Sequence, residues 1–165
     1  MKKLFLAMLV ALLSMGASAQ DKTFGLGVNL LYGTKINNVG FGVKGQYYAT
    51  NAVRVEANAA FFMKNDKFKK DNDEEVGMKM WDLNVAGHYL IPVASDKAFV
   101  YPLVGVGLTN WIQSAVNVST RFTINAGAGF QFDVAEDFAI NVEAKYQIIK
   151  EYGQGVFGVG AVYKF

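Results

Sequence analysis

Eight stretches of the chain alternate residue by residue between large apolar side chains and polar or small ones, and a period of two predicts β-strands. In 24–32 one face carries Phe24, Leu26, Val28, Leu30 and Tyr32, and the other Gly25, Gly27 and Asn29. The same reading covers 41–49, 53–61, 81–91, 122–132, 138–148 and 157–165, each with an uncharged apolar face. The stretch 98–109 is apolar on both phases. Placing Val104, Val106 and Leu108 outside matches Gly105, Gly107 and Thr109 to the small, polar face elsewhere, and leaves Phe99 and Tyr101 inside. No sustained helical period occurs after residue 19.

Such strands suit either a soluble barrel with apolar residues inside or a membrane barrel with apolar residues outside. Aromatics decide between them. Tyr32, Phe41, Phe61, Trp81, Phe122, Tyr146 and Phe157 fall at one end of the strands, and Phe24, Tyr47, Tyr89, Phe132, Phe138, Tyr163 and Phe165 at the other. Rings loaded at both ends are what two membrane interfaces select, whereas a soluble core places them mid-strand. Strands of about 9–11 residues suit a tilted crossing. The polar face is rich in glycine, which weakens a strand unless neighbours must approach closely, so room for Tyr48, Arg54 and other long interior side chains is the expected use. Connections 50–52, 92–97 and 133–137 read as short, while 33–40, 63–77, 110–120 and 149–154 read as mostly longer. That alternation matches periplasmic turns and extracellular loops.

Charge and cysteine content then narrow the function. Residues 1–19 read as a cleaved secretory signal peptide: Lys2 and Lys3, an apolar run of about ten residues, and Ala17-Ser18-Ala19 before the cut. The run is too short for a spanning helix of about 20 residues. Without Lys2 and Lys3 the remaining 20–165 carries equal numbers of basic and acidic residues, which gives no basis for nucleic-acid binding. The absence of Cys removes disulfides, thiol chemistry and a lipid anchor. The expectation is an all-β, eight-stranded closed antiparallel transmembrane barrel of up-and-down topology, monomeric, in the outer membrane of a Gram-negative cell.

The leader, the eight amphipathic strands and the ending Val162-Tyr163-Lys164-Phe165 resemble the OmpA/OmpX-like outer-membrane β-barrel superfamily. The runs Asp82-Leu-Asn-Val-Ala-Gly-His-Tyr89 and Tyr101-Pro-Leu-Val-Gly-Val-Gly107 are similar to its variant common in Bacteroidetes-type bacteria. The resemblance implies that the terminal strand, with Tyr163 and Phe165, is read by the barrel-assembly machinery during insertion.

Eight strands enclose an interior that side chains alone can fill. The inward set contains Lys44, Arg54, Lys145 and Lys164 against Glu56, Asp82 and Glu143, with His88 and several amides between them. Buried charges must pair or keep water, so the expectation is a polar network replacing an apolar core, with no conducting path. His88 is the lone histidine, and Ser95, Ser114 and Ser119 lie far from it along the chain's folding pattern. No nucleophile–base pair, metal cluster or cofactor motif is expected. The paired glycines are not phosphate loops, because no helix follows them. In 63–77, Lys67, Lys69 and Lys70 precede Asp71, Asp73, Glu74 and Glu75, a charged loop or extended hairpin whose lysines suit lipopolysaccharide phosphates. Trp111 stands out in the third long connection, as a strand extension or a contact for a surface partner. The function expected is envelope structure or surface interaction through loops. The rivals are a lipid A-modifying enzyme and a periplasmic lipocalin-like carrier.

Overall fold

The computed structural model describes residues 23–69, 75–94, 97–113, 117–149 and 152–165. Its strands are β1 (Phe24–Gly33), β2 (Asn38–Tyr48), β3 (Val53–Lys69), β4 (Glu75–Tyr89), β5 (Ile91–Ala94), β6 (Ala98–Gln113), β7 (Asn117–Asp133), β8 (Phe138–Ile149) and β9 (Tyr152–Lys164). They lie in the order β4-β3-β2-β1-β9-β8-β7-β6-β5, and β4 also pairs with β6, which joins the two ends of the sheet. β5 continues β4 beyond Leu90, so the two make one stave of a closed, eight-stranded, antiparallel barrel. The interruption is local: Pro92 has no N–H to give the ladder, and the β5–β6 register shifts between Pro92 and Ala94.

The sense of the barrel follows from its surface. Leu30 is 71% exposed and Val104 64%, among a belt of outward Val, Leu, Ile and Phe side chains. That much contiguous apolar exposure belongs against hydrocarbon. A lipocalin-like carrier needs the opposite arrangement, and the structure removes it. Phase within 98–109 is as read above: Val104, Val106 and Leu108 face out, and Tyr101 is buried.

Aromatics ring both ends. At the rim where β1 begins and β9 ends, called the terminal rim, Phe24 packs on Tyr47 with centroids 5.1 Å apart, and Tyr163 meets Phe165 edge-on at 5.3 Å. At the opposite rim, called the loop rim here, the ladder aligns Tyr32 with Phe157, Phe41 with Phe61, and Phe61 with Trp81. Phe24 and Tyr32 are eight residues apart on β1, about 27 Å along a strand. Tilted by roughly 40°, that spans about 20 Å, close to the apolar band of an outer-membrane barrel.

Connection lengths differ from the expectation. β1 and β2 are joined by 34–37, no longer than 49–52 or 134–137 on the terminal rim. Asn37 takes the left-handed conformation (φ 51°) that closes this tight turn. Segment 63–77 is mostly strand, since β3 runs to Lys69 and β4 starts at Glu75, with register shifts between Phe62 and Asn65 and between Asn65 and Phe68. Likewise 110–120 is largely β6 and β7, and 149–154 largely β8 and β9. The asymmetry lies in strand length: β3 and β7 have 17 residues, β1 only 10. Short and long connections do not alternate.

Candidate functional site in the barrel interior

Nearest the terminal rim, Arg54 organises the interior. Alternation on β3 turns it inward, and it is fully buried. Its Nε donates to His88 Nδ1 at 3.1 Å, and a second guanidinium nitrogen lies 2.7 Å from the same atom. The third nitrogen donates to Gln131 Oε1, and at 3.4 Å to both Gln46 Oε1 and the Tyr48 hydroxyl. The guanidinium carbon stands 4.7 Å from the Tyr101 ring centre and 5.7 Å from that of Tyr48, within cation–π range. Tyr101 also stacks on His88 at 4.9 Å. Gln131 continues the chain of bonds to Asp133 (2.8 Å), whose carboxylate holds Lys164 at 2.6 Å.

Above this layer the charges pair across the barrel. Lys44 Nζ lies 3.6 Å from Glu56 and donates to Asn141 Oδ1 at 3.0 Å. Gln46 donates to Glu56 at 2.7 Å; the Tyr101 hydroxyl donates to Glu143 at 3.1 Å, and Lys145 lies 3.8 Å from the same carboxylate. Two glycines make this possible. A Cβ on Gly129 would sit in the Tyr101 ring, and one on Gly160 would come within 2.8 Å of Asn141 Oδ1 and 3.1 Å of Lys44 Nζ. Tyr101 and Lys44 are therefore among the long interior side chains that the glycines admit.

Glu56, His88, Glu143 and Lys145 line one small cavity together with Asn58, Asn84, Asn125, Ala86 and Leu103. Candidate ligand atoms of Glu56, His88 and Glu143 lie within 4.8 Å of one another, a convergence of three strands that the linear sequence does not display. Asn125 Nδ2 donates to Asn84 Oδ1 at 2.8 Å, but Asn58 Oδ1 and Nδ2, Asn84 Nδ2, His88 Nε2 and Asn125 Oδ1 are buried without a protein hydrogen-bond partner. An orphaned buried polar atom of this kind costs about 1–3 kcal/mol.

Towards the loop rim the interior changes character. Asp82 accepts from Thr109 at 2.8 Å and from Gln147 at 3.0 Å, and Gln154 passes a 2.6 Å bond to Gln147. Beyond it Leu31, Ile36, Ala60, Phe62, Met80, Trp111, Ile149 and Val156 form an apolar cluster. Ile36 reaches it from the 34–37 turn. At the terminal rim a smaller cluster joins Leu90, Tyr101 and Leu103 with Tyr48 and Phe99.

Trp111, whose two readings are a strand extension and a contact for a surface partner, is on β6, only 8% exposed, and belongs to this inner cluster. Its position on β6 is two residues beyond Thr109, so the inward phase simply continues. Lys67 and Lys69 lie on the β3 extension, while Lys70 and the acidic residues 71–74 fall outside the described residues, as does the leader. Asp133, read as the start of a turn, is instead the last inward residue of β7 and holds Lys164. Tyr163 and Phe165 face outward at the terminal girdle, and the Phe165 N–H donates to the Phe24 carbonyl at 2.8 Å. His88 and Ser119 are far apart: Leu103, opposite His88, and Trp111, opposite Ser119, are separated by eight residues of β6, about 27 Å.

A closed, amphipathic β-barrel with aromatic rims and a polar interior defines an integral outer-membrane protein. The chain belongs to the outer membrane protein beta-barrel domain family, which it matches over residues 5–165. It is similar in fold to the N-terminal β-barrel domain of Pseudomonas aeruginosa OprF, with TM-score 0.66 and 16% identity over 88% of this chain and 98% of that one. Neisserial surface protein A gives TM-score 0.68 at 13% identity, covering 86% of this chain and 97% of that one. The outer membrane enzyme PagL gives 0.52 at 13% identity, covering 86% and 99%. Among curated proteins no relative matches the chain. OprF and Neisserial surface protein A are OmpA/OmpX-like small barrels in fold, and the protein is located in the outer membrane of Gram-negative bacteria.

Proposed function

We propose that the barrel is a non-conducting, non-catalytic element of the outer membrane, serving envelope structure or surface interaction through its loop rim. The observation that carries this reading is the set of side chains meeting across the interior, from Arg54 and Tyr101 at one end to Phe62, Met80 and Trp111 at the other. Purified protein in planar bilayers is then expected to give no steady current. Stable, reproducible channels from a monodisperse monomer would refute it.

In this reading residues 1–19 direct export, and Tyr163 and Phe165 present the last strand to the assembly machinery. The loop rim faces outward from the cell, and Lys67, Lys69 and Lys70 supply the positive charge for lipopolysaccharide phosphates or a partner. Replacing Asn65 through Glu74 by a short Gly/Asn turn is expected to leave a barrel that inserts and still shifts between unboiled and boiled gels. Loss of surface binding in that variant would locate the interaction.

Likeness to PagL gives the enzymatic alternative its only support. Against it, His88 is inside the barrel with Nδ1 engaged by Arg54, and Ser119 is about a barrel's height away. Mass spectrometry of lipid A after incubation with the protein decides: a changed acyl pattern would favour the enzyme.

A further inference from the structure

We propose that the lipid face of the barrel carries a seat for one acyl chain of an outer-leaflet lipid, a groove crossing β1, β9, β8 and β7. The groove has a volume of about 730 Å³, within the range of small-molecule sites, about 300–1,000 Å³. The ladder makes its two walls. Tyr32 pairs with Phe157, Phe157 with Ala144 and Ala144 with Ala128. One pleat nearer the terminal rim, Leu30 pairs with Val159, Val159 with Val142 and Val142 with Phe130. All of these are exposed on the outer face. Between the walls the lining includes Gly158 and Gly129, which bring only backbone there. Ala144 and Ala128 stand beside Phe157, Val142 and Phe130, so the outer face falls away over two neighbouring staves.

Shape selects the occupant. The walls are two residues apart along each strand, about 7 Å, which is too narrow for a helix about 10–12 Å across. A second barrel is convex and cannot fill a furrow that runs oblique to its axis. A single hydrocarbon chain can, and every side chain of the two walls is apolar or aromatic.

Depth selects the leaflet. From Val39 on β2 to Val100 on β6 the groove crosses five ladders, about 24 Å in all. With strands tilted roughly 40° it descends about 15 Å from the loop rim, half of a hydrocarbon core about 30 Å thick. At its head the Tyr32 hydroxyl donates to Asn37 Oδ1 at 2.6 Å, and exposed Lys35 lies in the same turn. A cation there suits the phosphate of a lipid headgroup. The assignment to the outer leaflet rests on the reading that the loop rim faces out of the cell.

The test is native mass spectrometry of the purified full-length protein, released from detergent after purified lipid A is added. Expected is an adduct that saturates at one lipid A per barrel. Ala144→Leu and Ala128→Leu fill the groove from neighbouring staves, and each is expected to lower that adduct about tenfold. Ala57→Leu, on the lipid face of β3 outside the groove, is expected to leave it unchanged. The shift between unboiled and boiled gels checks that each variant is folded.

Adducts that never saturate, or that Ala57→Leu lowers as much as Ala144→Leu does, overturn the seat. A dimer that Ala144→Leu abolishes overturns it in favour of an interface between copies. Because the chain has no cysteine, Lys64→Cys supplies a single thiol at the loop rim for a maleimide too large to enter the periplasm. Labelling of intact cells is expected. Labelling only after the cells are broken overturns the outward loop rim and the outer-leaflet assignment with it. Labelling of intact cells without a saturable adduct overturns the seat alone.

Discussion

The two halves of the interior fill the same cylinder by different chemistry. Towards the terminal rim, Arg54, Lys44, Glu56, Glu143, Lys145, Asp133 and Lys164 are held by charge-assisted bonds across the barrel. Towards the loop rim, Phe62, Met80, Trp111, Leu31, Ile149 and Val156 pack as an ordinary apolar core, with Asp82 bound by neutral donors at its floor. A barrel in lipid has its large apolar surface outside, so its inner face need not be apolar to favour folding in water. What the inner face must do is leave few polar groups unpaired. Charged networks and packed side chains are alternative ways of meeting that requirement, and they should respond differently to mutation.

The largest effect is expected from Arg54→Met. It strips His88, Gln131 and Gln46 of their shared donor and removes one of the cations near Glu56, and breaking a buried charged cluster costs about 3–5 kcal/mol. Urea titration of folded protein in lipid vesicles, followed by Trp fluorescence, measures the loss; a change under 1 kcal/mol would mean the charged half is hydrated rather than sealed. Phe62→Ala removes a buried ring from the apolar half, and is expected to cost about 3 kcal/mol, at the low end for such truncations because the cluster lies near a rim. The same titration checks it. If it costs nothing while Arg54→Met costs much, the apolar half is not a core.

Val142→Arg probes the outside for contrast. At 47% exposure on the lipid face of β8, an arginine near the midplane should cost about 2–4 kcal/mol, read as a fall in folded yield on unboiled gels. Tolerance of that change would reverse the inside and outside faces. The smallest effect belongs to Asp133→Asn. Its pair with Lys164 sits at the terminal rim with both side chains partly exposed, so solvent screening should limit the loss to about 1 kcal/mol or less, falling further with added salt.

Strand phase was legible wherever each stave has lipid on one side and a crowded interior on the other, because both environments select at a period of two. The bilayer imposed that contrast on 24–32 and 138–148, where apolar and polar positions separate cleanly. Beyond the girdle water bathes the outer face, and the selection lapses. Residues 63–69 therefore show no alternation, and their charges read equally as a loop or an extended hairpin. The inward phase does persist beyond those limits. Counting by twos from Asn58 reaches Phe62, from Asp82 reaches Met80, from Thr109 reaches Trp111, and from Gln131 reaches Asp133. Trp111 and Asp133 lie in stretches that read as connections, and Phe62 and Met80 lie just beyond the limits of 53–61 and 81–91. The meeting of Glu56, His88 and Glu143 had no linear signal, since it depends on which staves the register places opposite one another.

Closure of the barrel also sets the order in which it can form. Gly25 pairs with Lys164, Val28 with Ala161 and Tyr32 with Phe157, so almost the whole chain lies between partners in a single ladder. Hairpins such as β8–β9 need only local contacts, but this seam must wait for the last residues to be present. Contacts of such long range are slow to find, and until they form β1 and β9 each present an unpaired edge. Those edges are sticky templates for other chains. A nascent copy lacking its final strand would therefore be an aggregation seed in the periplasm, which makes the seam the point at which an escort is most needed.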